Sequence, residues 1–158
     1  MAQGDQRNPE KATDREADIL LVEDDPADAE FALRALQQCG FGQRVTHVSD
    51  GIEALDYIFG TGIFARSRPA SMPKLILLDL GLKKLGGLQV LQQLKANERT
   101  RGIPIVVLTG SIIAIELAES YKLGVNSYVI KPTDPQKFSA VVAKIGHYWL
   151  EINETAPG

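Results

Sequence analysis

Three carboxylates, a hydroxyl and an ammonium group stand at the ends of four short apolar runs in this chain, and together they could move a phosphoryl group. Ile19-Leu20-Leu21-Val22 stops at Glu23-Asp24, Leu75-Ile76-Leu77-Leu78 at Asp79, Ile105-Val106-Val107-Leu108 at Thr109, and Tyr128-Val129-Ile130 at Lys131-Pro132. Carboxylates brought close together repel strongly, and a protein normally tolerates this only with a cation among them. An all-oxygen donor set selects a hard cation. Mg²⁺ fits because it takes one or two protein carboxylates, keeps several waters and reserves positions for phosphate oxygens; Mn²⁺ could substitute. The chemistry that follows is nucleophilic attack by Asp79 on phosphorus. Asp24 and Asp79 would hold the metal directly, and Glu23 through water, so that charge on the transferring oxygens is neutralised. Gly81, two residues beyond Asp79, offers a backbone carbonyl as a further ligand. Thr109 and Lys131 would grip the remaining phosphoryl oxygens, one by a hydroxyl hydrogen bond and the other as a mobile point charge.

Convergence of these groups requires a particular scaffold. Short β-branched and leucine runs bounded by turn residues read as strands buried on both faces, and a fifth run, Val45 to Val48, stops at Ser49-Asp50. Helical segments lie between the runs. Asp25-Pro26 opens the first, with Asp25 as N-cap and Gly40 as its stop. The second begins near Asp50, where Asp50 and Glu53 suggest a capping box. Gly60 to Pro73 is a longer loop holding Arg66 and Arg68. The third helix runs from Leu88 to Asn97, the fourth from after Ser111 to near Gly124, and the last from Asp134-Pro135 to about Ile152. Strands alternating with helices predict an α/β fold, an open, doubly wound five-stranded parallel sheet with helices on both faces in the flavodoxin-like order 2-1-3-4-5. The first and third strands are then neighbours, and Glu23, Asp24 and Asp79 meet at their carboxyl ends.

Composition excludes several classes. A chain of 158 residues is one domain's worth, with a tail expected over 1–16, the folded domain over 17–152 and a short tail over 153–158. A formal charge of -3 gives no general attraction to nucleic acid or to an anionic membrane. Cys39 is the only cysteine, which predicts no disulfide and a reducing, cytoplasmic setting. The apolar stretches are too short to span a bilayer, and the polar N-terminus has no signal-peptide core.

The motifs VEDD, LLDL, VLTGS and YVIKP, in that order from about Asp18 to Leu150, resemble the receiver domain of two-component response regulators. That resemblance implies metal roles for Glu23, Asp24 and the Gly81 carbonyl, and phosphorylation at Asp79. It also implies switching by Thr109 and Tyr128, phosphoryl contact by Lys131, and a cis bond between Lys131 and Pro132. EDDPADAEF, the long loop before the third strand, GVNSYVIKP and the late IGHYWLEI are similar to the single-domain regulators paired with phytochrome-type sensor kinases. A light-signalling histidine kinase is the implied partner, with a histidine phosphotransfer protein as a further one. The loop after Asp79 departs from the pattern. It reads GLKKLGG, where relatives carry Asn at the Gly81 position, Pro at Lys83 and Asp at Gly86.

Simpler roles compete for the same residues. Any one of the acids could be a solvated strand end or a cap, Thr109 could cap the fourth helix, and Tyr128 could be packing. His47 and His147 have no partners at metal-ligand spacing and read as surface or packing residues; Lys83, Lys84, Arg99 and Arg101 read as solvated charges, the lysine pair being a candidate for steering an acidic kinase surface. A haloacid-dehalogenase-type phosphatase would want a second Asp where Gly81 stands, so no general acid is supplied. A phosphorylation-independent adaptor is the alternative the residues leave open. In the last helix, Phe138, Val142, Ile145 and Trp149 form a core stripe, while Val141, Tyr148 and Ile152 form a second that would face outward. Ile112, Ile113, Ile115 and Leu117 overfill the fourth helix. The surplus predicts a symmetric homodimer through the fourth helix, fifth strand and fifth helix.

Overall fold

The computed structural model of the chain describes residues 18–66 and 71–156. The tail expected at 1–16, and Arg68, lie outside the described residues. Five strands, β1 (Ile19–Val22), β2 (Val45–Val48), β3 (Leu75–Leu78), β4 (Ile105–Thr109) and β5 (Ser127–Ile130), alternate with five helices, α1 (Pro26–Gln38), α2 (Gly51–Phe59), α3 (Gly87–Ala96), α4 (Ala114–Lys122) and α5 (Pro135–His147). Every strand pair is parallel and the order is β2-β1-β3-β4-β5, the predicted doubly wound sheet.

Side chains alternate across the sheet with the period of two that a strand imposes. Leu20, Val22, Ile76, Leu78, Ile105 and Val107 enter one core, with Val90, Leu91 and Leu94 of α3 and Tyr57 and Ile58 of α2. Ile19, Leu21, Leu75, Leu77, Val106 and Leu108 enter the other, with Ala32 and Leu36 of α1 and Phe138, Val142 and Ile145 of α5. Covered on both faces, the central strands must be apolar throughout, which is why they read as unbroken runs.

Helix ends follow local chemistry with some departures. Asp25 Oδ1 accepts from the Asp28 amide at 2.9 Å and Asp134 Oδ1 from the Gln136 amide at 3.0 Å, each just before a proline at the first helical turn. Only half of the expected capping box forms. Asp50 Oδ1 accepts from the Glu53 amide at 2.9 Å, but Glu53 Oε2 accepts from Ser49, not Asp50, at 3.0 Å. The α4 helix starts at Ala114 without a side-chain cap, and of its residues only Ser120 is buried. Past His147 the chain continues as a π turn through Ile152, with Tyr148 edge-on to Trp149. Val141, expected to face outward, packs instead against the second core, as does the half-buried Trp149. The Lys131–Pro132 bond is trans, not the cis bond that the resemblance implies. Trans is the lower-energy isomer, and the Lys131 amide donates to the Thr109 carbonyl at 2.8 Å.

One glycine fixes how closely α3 approaches the end of β3. A Cβ on Gly87 would fall 2.4 Å from the Asp79 carbonyl oxygen and 2.6 Å from Leu80 Cα, so α3 can start here only because its first residue has no side chain. Gly87→Ala is expected to cost about 2–3 kcal/mol in urea denaturation by forcing the Asp79 segment and α3 apart.

Candidate functional site

The carboxyl ends of β1, β3, β4 and β5 lie along one edge of the sheet, where open α/β folds bind ligands. Register places them side by side: Val22 pairs with Leu78 and Leu78 with Val107, so the residues that follow β1 and β3 emerge next to each other. The Asp79 amide donates to the Val22 carbonyl and the Glu23 amide to the Val48 carbonyl, both at 3.1 Å, which fixes the two acidic residues from the main chain. Glu23, Asp24, Asp79, Gly81, Thr109 and Lys131 all line one cleft of about 620 Å³. Every residue singled out from the sequence as a direct phosphoryl or metal contact is therefore in it. Tyr128 is not among the residues that line it.

Electrostatics of the cleft are dominated by acid. Glu23, Asp24 and Asp79 each bring a carboxylate oxygen within 4.8 Å of the others, and they form a group suited to a metal ion among the described residues. Lys131 Nζ lies 2.6 Å from Glu23 Oε2, 3.0 Å from Asp28 Oδ2 and 3.7 Å from Asp79 Oδ1. Burial pushes the Glu23 carboxyl up to about 7; the hydrogen bond from Lys131 opposes the rise and the Asp79 charge adds to it. Burial works against the Lys131 ammonium, yet its bonds to Glu23 and Asp28 and the Asp79 charge hold its pKa above the ordinary value. One ammonium among four carboxylates leaves an excess of negative charge. Two of those carboxylates, Glu23 and Asp79, are below one-tenth exposed. Opposite ligands of a small octahedral cation stand about 4 Å apart. The all-oxygen set, its spacing and the uncompensated charge thus fit a hard divalent ion.

A Cβ on Gly81 would sit 3.6 Å from Asp79 Oδ2, an ordinary contact, so the flank of Asp79 that a larger residue would cover is open. Thr109, buried at the end of β4, accepts a bond from the Ser111 amide at 3.3 Å, and the Tyr128 hydroxyl donates to the Ser111 carbonyl at 3.1 Å. Burial raises the Tyr128 pKa, against the pull of that hydrogen bond. The main chain of Ser111 therefore ties Thr109 to Tyr128.

Other residues play parts that spacing did not indicate. Asp28, in the first turn of α1 just past the Asp25 cap, reaches Lys131 across the cleft, a contact for which local spacing gives no signal. Ser111 donates its hydroxyl to Glu116, and both line the cleft. The imidazole Nε2 of His47 lies 2.8 Å from the Glu23 carbonyl oxygen, a packing role, and His147 Nδ1 sits 2.7 Å from Glu151 on the surface. Lys84 is not simply solvated. It holds a left-handed backbone, with φ of 62°, and reaches within 3.3 Å of Asp50 Oδ2.

Comparison with known proteins gives this arrangement a family. Residues 19–143 match the response regulator receiver domain. The chain belongs to that family. The receiver is 42% identical over 140 residues to the probable methanogenesis regulatory protein FilR2 of Methanothrix harundinacea, covering 89% of this chain and 87% of the relative. It is 35% identical over 147 residues to response regulator Rcp1 of Synechocystis, covering 93% and 94%. Among solved structures, the phosphorylated cyanobacterial phytochrome response regulator RcpA superposes with a TM-score of 0.81 at 37% identity, covering 88% of the receiver and 97% of that chain. The Mn²⁺-bound form of Rcp1 gives 0.80 at 34%, covering 88% and 98%. No helix among the described residues of the receiver is long and apolar enough to cross a membrane.

Proposed function

We propose that Asp79 is the phosphoryl acceptor of this receiver and that the donor is a phosphohistidine of a sensor histidine kinase. A carboxylate oxygen of Asp79 forms the new O–P bond as the N–P bond breaks, and the electron pair returns to the imidazole. The observation that carries this reading is the meeting of Glu23, Asp24 and Asp79 oxygens within 4.8 Å, with Lys131 Nζ 3.7 Å from Asp79 Oδ1. Asp24, Asp79 and the Gly81 carbonyl would hold Mg²⁺, or Mn²⁺ in its place, with Glu23 behind a water. The ion supplies charge neutralisation for the transferring oxygens. Lys131 donates to one phosphoryl oxygen and the Thr109 hydroxyl, whose proton is not committed to the Ser111 amide, donates to another. Turning of Thr109 toward the phosphoryl group loosens the Ser111 segment and with it the Tyr128 hydroxyl, which biases a pre-existing equilibrium of the α4 and β5 surface.

Similarity to the phytochrome response regulator RcpA and to Rcp1 favours a phytochrome-type kinase and light signalling in the cytoplasm, with output by protein contact or by onward transfer to a histidine phosphotransfer protein. Ile115, Leu117 and Tyr121 of α4, Ile130 of β5, and Tyr148 and Ile152 beyond α5 are each at least 40% exposed. They support the isologous α4-β5-α5 homodimer. Ile115→Asp is expected to shift the sedimentation coefficient at high micromolar concentration from dimer to monomer, and a wild type that is monomeric with and without phosphorylation removes the dimer.

Gly81 gives this receiver a second expected property. With the flank of Asp79 open, water reaches the acyl phosphate and returns Asp79 and inorganic phosphate. Gly81→Asn fills that space without displacing Asp79, so its phosphoryl group should persist about 3- to 10-fold longer in a label-loss assay.

Intact mass after incubation with a small-molecule phosphodonor and Mg²⁺ tests the reading. A single phosphoryl adduct that is base-labile, needs the divalent ion and maps to the peptide holding Asp79 supports it. No adduct from several donors and from a cognate kinase leaves the receiver a phosphorylation-independent adaptor.

A further inference from the structure

Lys131 is shared among three carboxylates, and only two of them are needed to explain the site. Glu23 and Asp79 belong to the oxygen cluster suited to a metal, whereas Asp28 does not. Asp28 stands in the first turn of α1, its amide bonded to the Asp25 cap and its carboxylate free to reach over the cleft. Its Oδ2 accepts from Lys131 Nζ at 3.0 Å across 103 residues of sequence. No helix cap or neighbouring backbone among the described residues uses that carboxylate. Lys131, with its side chain only 10% exposed, is the partner it has.

A cation among Glu23, Asp24 and Asp79 takes up the charge of two of the lysine's partners and repels its ammonium at short range. Asp28 is then the one carboxylate left to hold Lys131. Once Asp79 carries a phosphoryl group, the lysine must give its charge to the new oxygens, and it does so in competition with Asp28. The geometry points to Asp28 as a positioning residue that holds Lys131 in its resting place and sets how much of the lysine's charge the phosphoryl group receives. The inference rests on the reading of Asp79 as the phosphoryl acceptor. Asp28 acts through Lys131 and touches no reacting atom.

The consequence is a coupling between two residues that neither a folding role nor a simple field effect would produce. Asp28→Asn keeps the shape of the side chain and removes its charge, so Lys131 leaves for the acceptor side more easily. Trifluoroberyllate with Mg²⁺, as a mimic of the phosphoryl group on Asp79, should bind the variant about 3- to 10-fold more tightly than wild type, the range set by one partly exposed, charge-assisted pair. In a Lys131→Met background the same Asp28→Asn change should alter the affinity by less than about twofold, because the group it acts through is gone. Nζ chemical shifts of Lys131 in ¹⁵N-lysine-labelled protein without metal should move in Asp28→Asn, a readout of the contact itself. Weaker or unchanged binding in Asp28→Asn, or a gain that persists in Lys131→Met, overturns the positioning role. Failure of wild type to bind trifluoroberyllate at all overturns instead the reading of Asp79, and the inference with it.

Discussion

Asp79→Asn is expected to abolish the phosphoryl adduct and at the same time to raise the melting temperature of the metal-free protein. Loss of the adduct follows because an amide cannot supply the carboxylate oxygen that attacks phosphorus. The gain in stability has a separate origin. Asp79 is buried beside Glu23, whose carboxyl burial pushes up to about 7 with the Asp79 charge adding to the rise. Replacing one charge of this cluster by a neutral group of the same shape removes a repulsion, while Lys131 keeps its two shorter partners, Glu23 and Asp28. About 1 kcal/mol, or a few degrees in a thermal melt, is the scale for relief of one such pair. The gain should be largest at pH 8, where Glu23 is ionised, and should shrink toward pH 5, where Glu23 of the wild type is protonated and the repulsion is already relieved. A variant that melts below wild type at pH 8 would mean that attraction between Asp79 and Lys131 outweighs repulsion among the acids. The acidic cluster would then be less strained than its geometry indicates.

How much of this was legible in the sequence depended on where the determining contacts lie. The central strands were plain because burial on both faces demands an unbroken apolar run, and an apolar run that stops at a charged residue marks the end of the sheet. Five site residues, Glu23, Asp24, Asp79, Thr109 and Lys131, were legible for the same reason, since each follows or closes such a run, and Gly81 was reached only by its offset from Asp79. The start of α4 was not. The sequence places it directly after Ser111, but the Ser111 hydroxyl is bonded to Glu116 and its oxygen also receives the Ile113 amide at 3.3 Å, and the helix begins only at Ala114. The isoleucines before and within α4 then lie on the surface, where a helical period cannot be told from a loop. Glu53 reached past Asp50 to Ser49, a choice made by side-chain rotamers and not by spacing. Asp28 was hidden for a simpler reason. Its partner is 103 residues away, and nothing local in α1 distinguishes it from a solvated first-turn acid.

Lys131→Met is expected to make the protein depend on a divalent ion for its stability above neutral pH. In the wild type Lys131 serves as the internal counter-charge of Glu23, at 2.6 Å, in a setting where the Glu23 side chain is 5% exposed. Removing the ammonium while keeping an apolar stem leaves a buried carboxylate with no cation. Breaking such a pair costs about 3–5 kcal/mol when the remaining group stays charged. Glu23 has an escape, because it can take up a proton, and the sign of the pH dependence follows from that. A carboxyl whose folded pKa is raised, here from 4.5 to about 7, contributes stability that is fully present below its unfolded value and is lost as pH rises through the folded one. Wild-type metal-free protein should therefore lose stability from about pH 5 to pH 8. Without Lys131, whose bond to Glu23 holds that pKa down, the loss should be deeper and should extend to higher pH. Mg²⁺ requires the ionised carboxylates and acts in the opposite sense. Its upward shift of the melting temperature should be greater at pH 8 than at pH 6 in wild type, and greater in Lys131→Met than in wild type at pH 8, because no internal ammonium competes for the oxygens. Thermal melts of both proteins at the two pH values, with chelator and with Mg²⁺, measure all of these differences. A Mg²⁺ shift that is independent of pH and of Lys131 would place the ion away from Glu23. A shift that follows both identifies the proton, the lysine and the metal as alternative occupants of one acidic cluster.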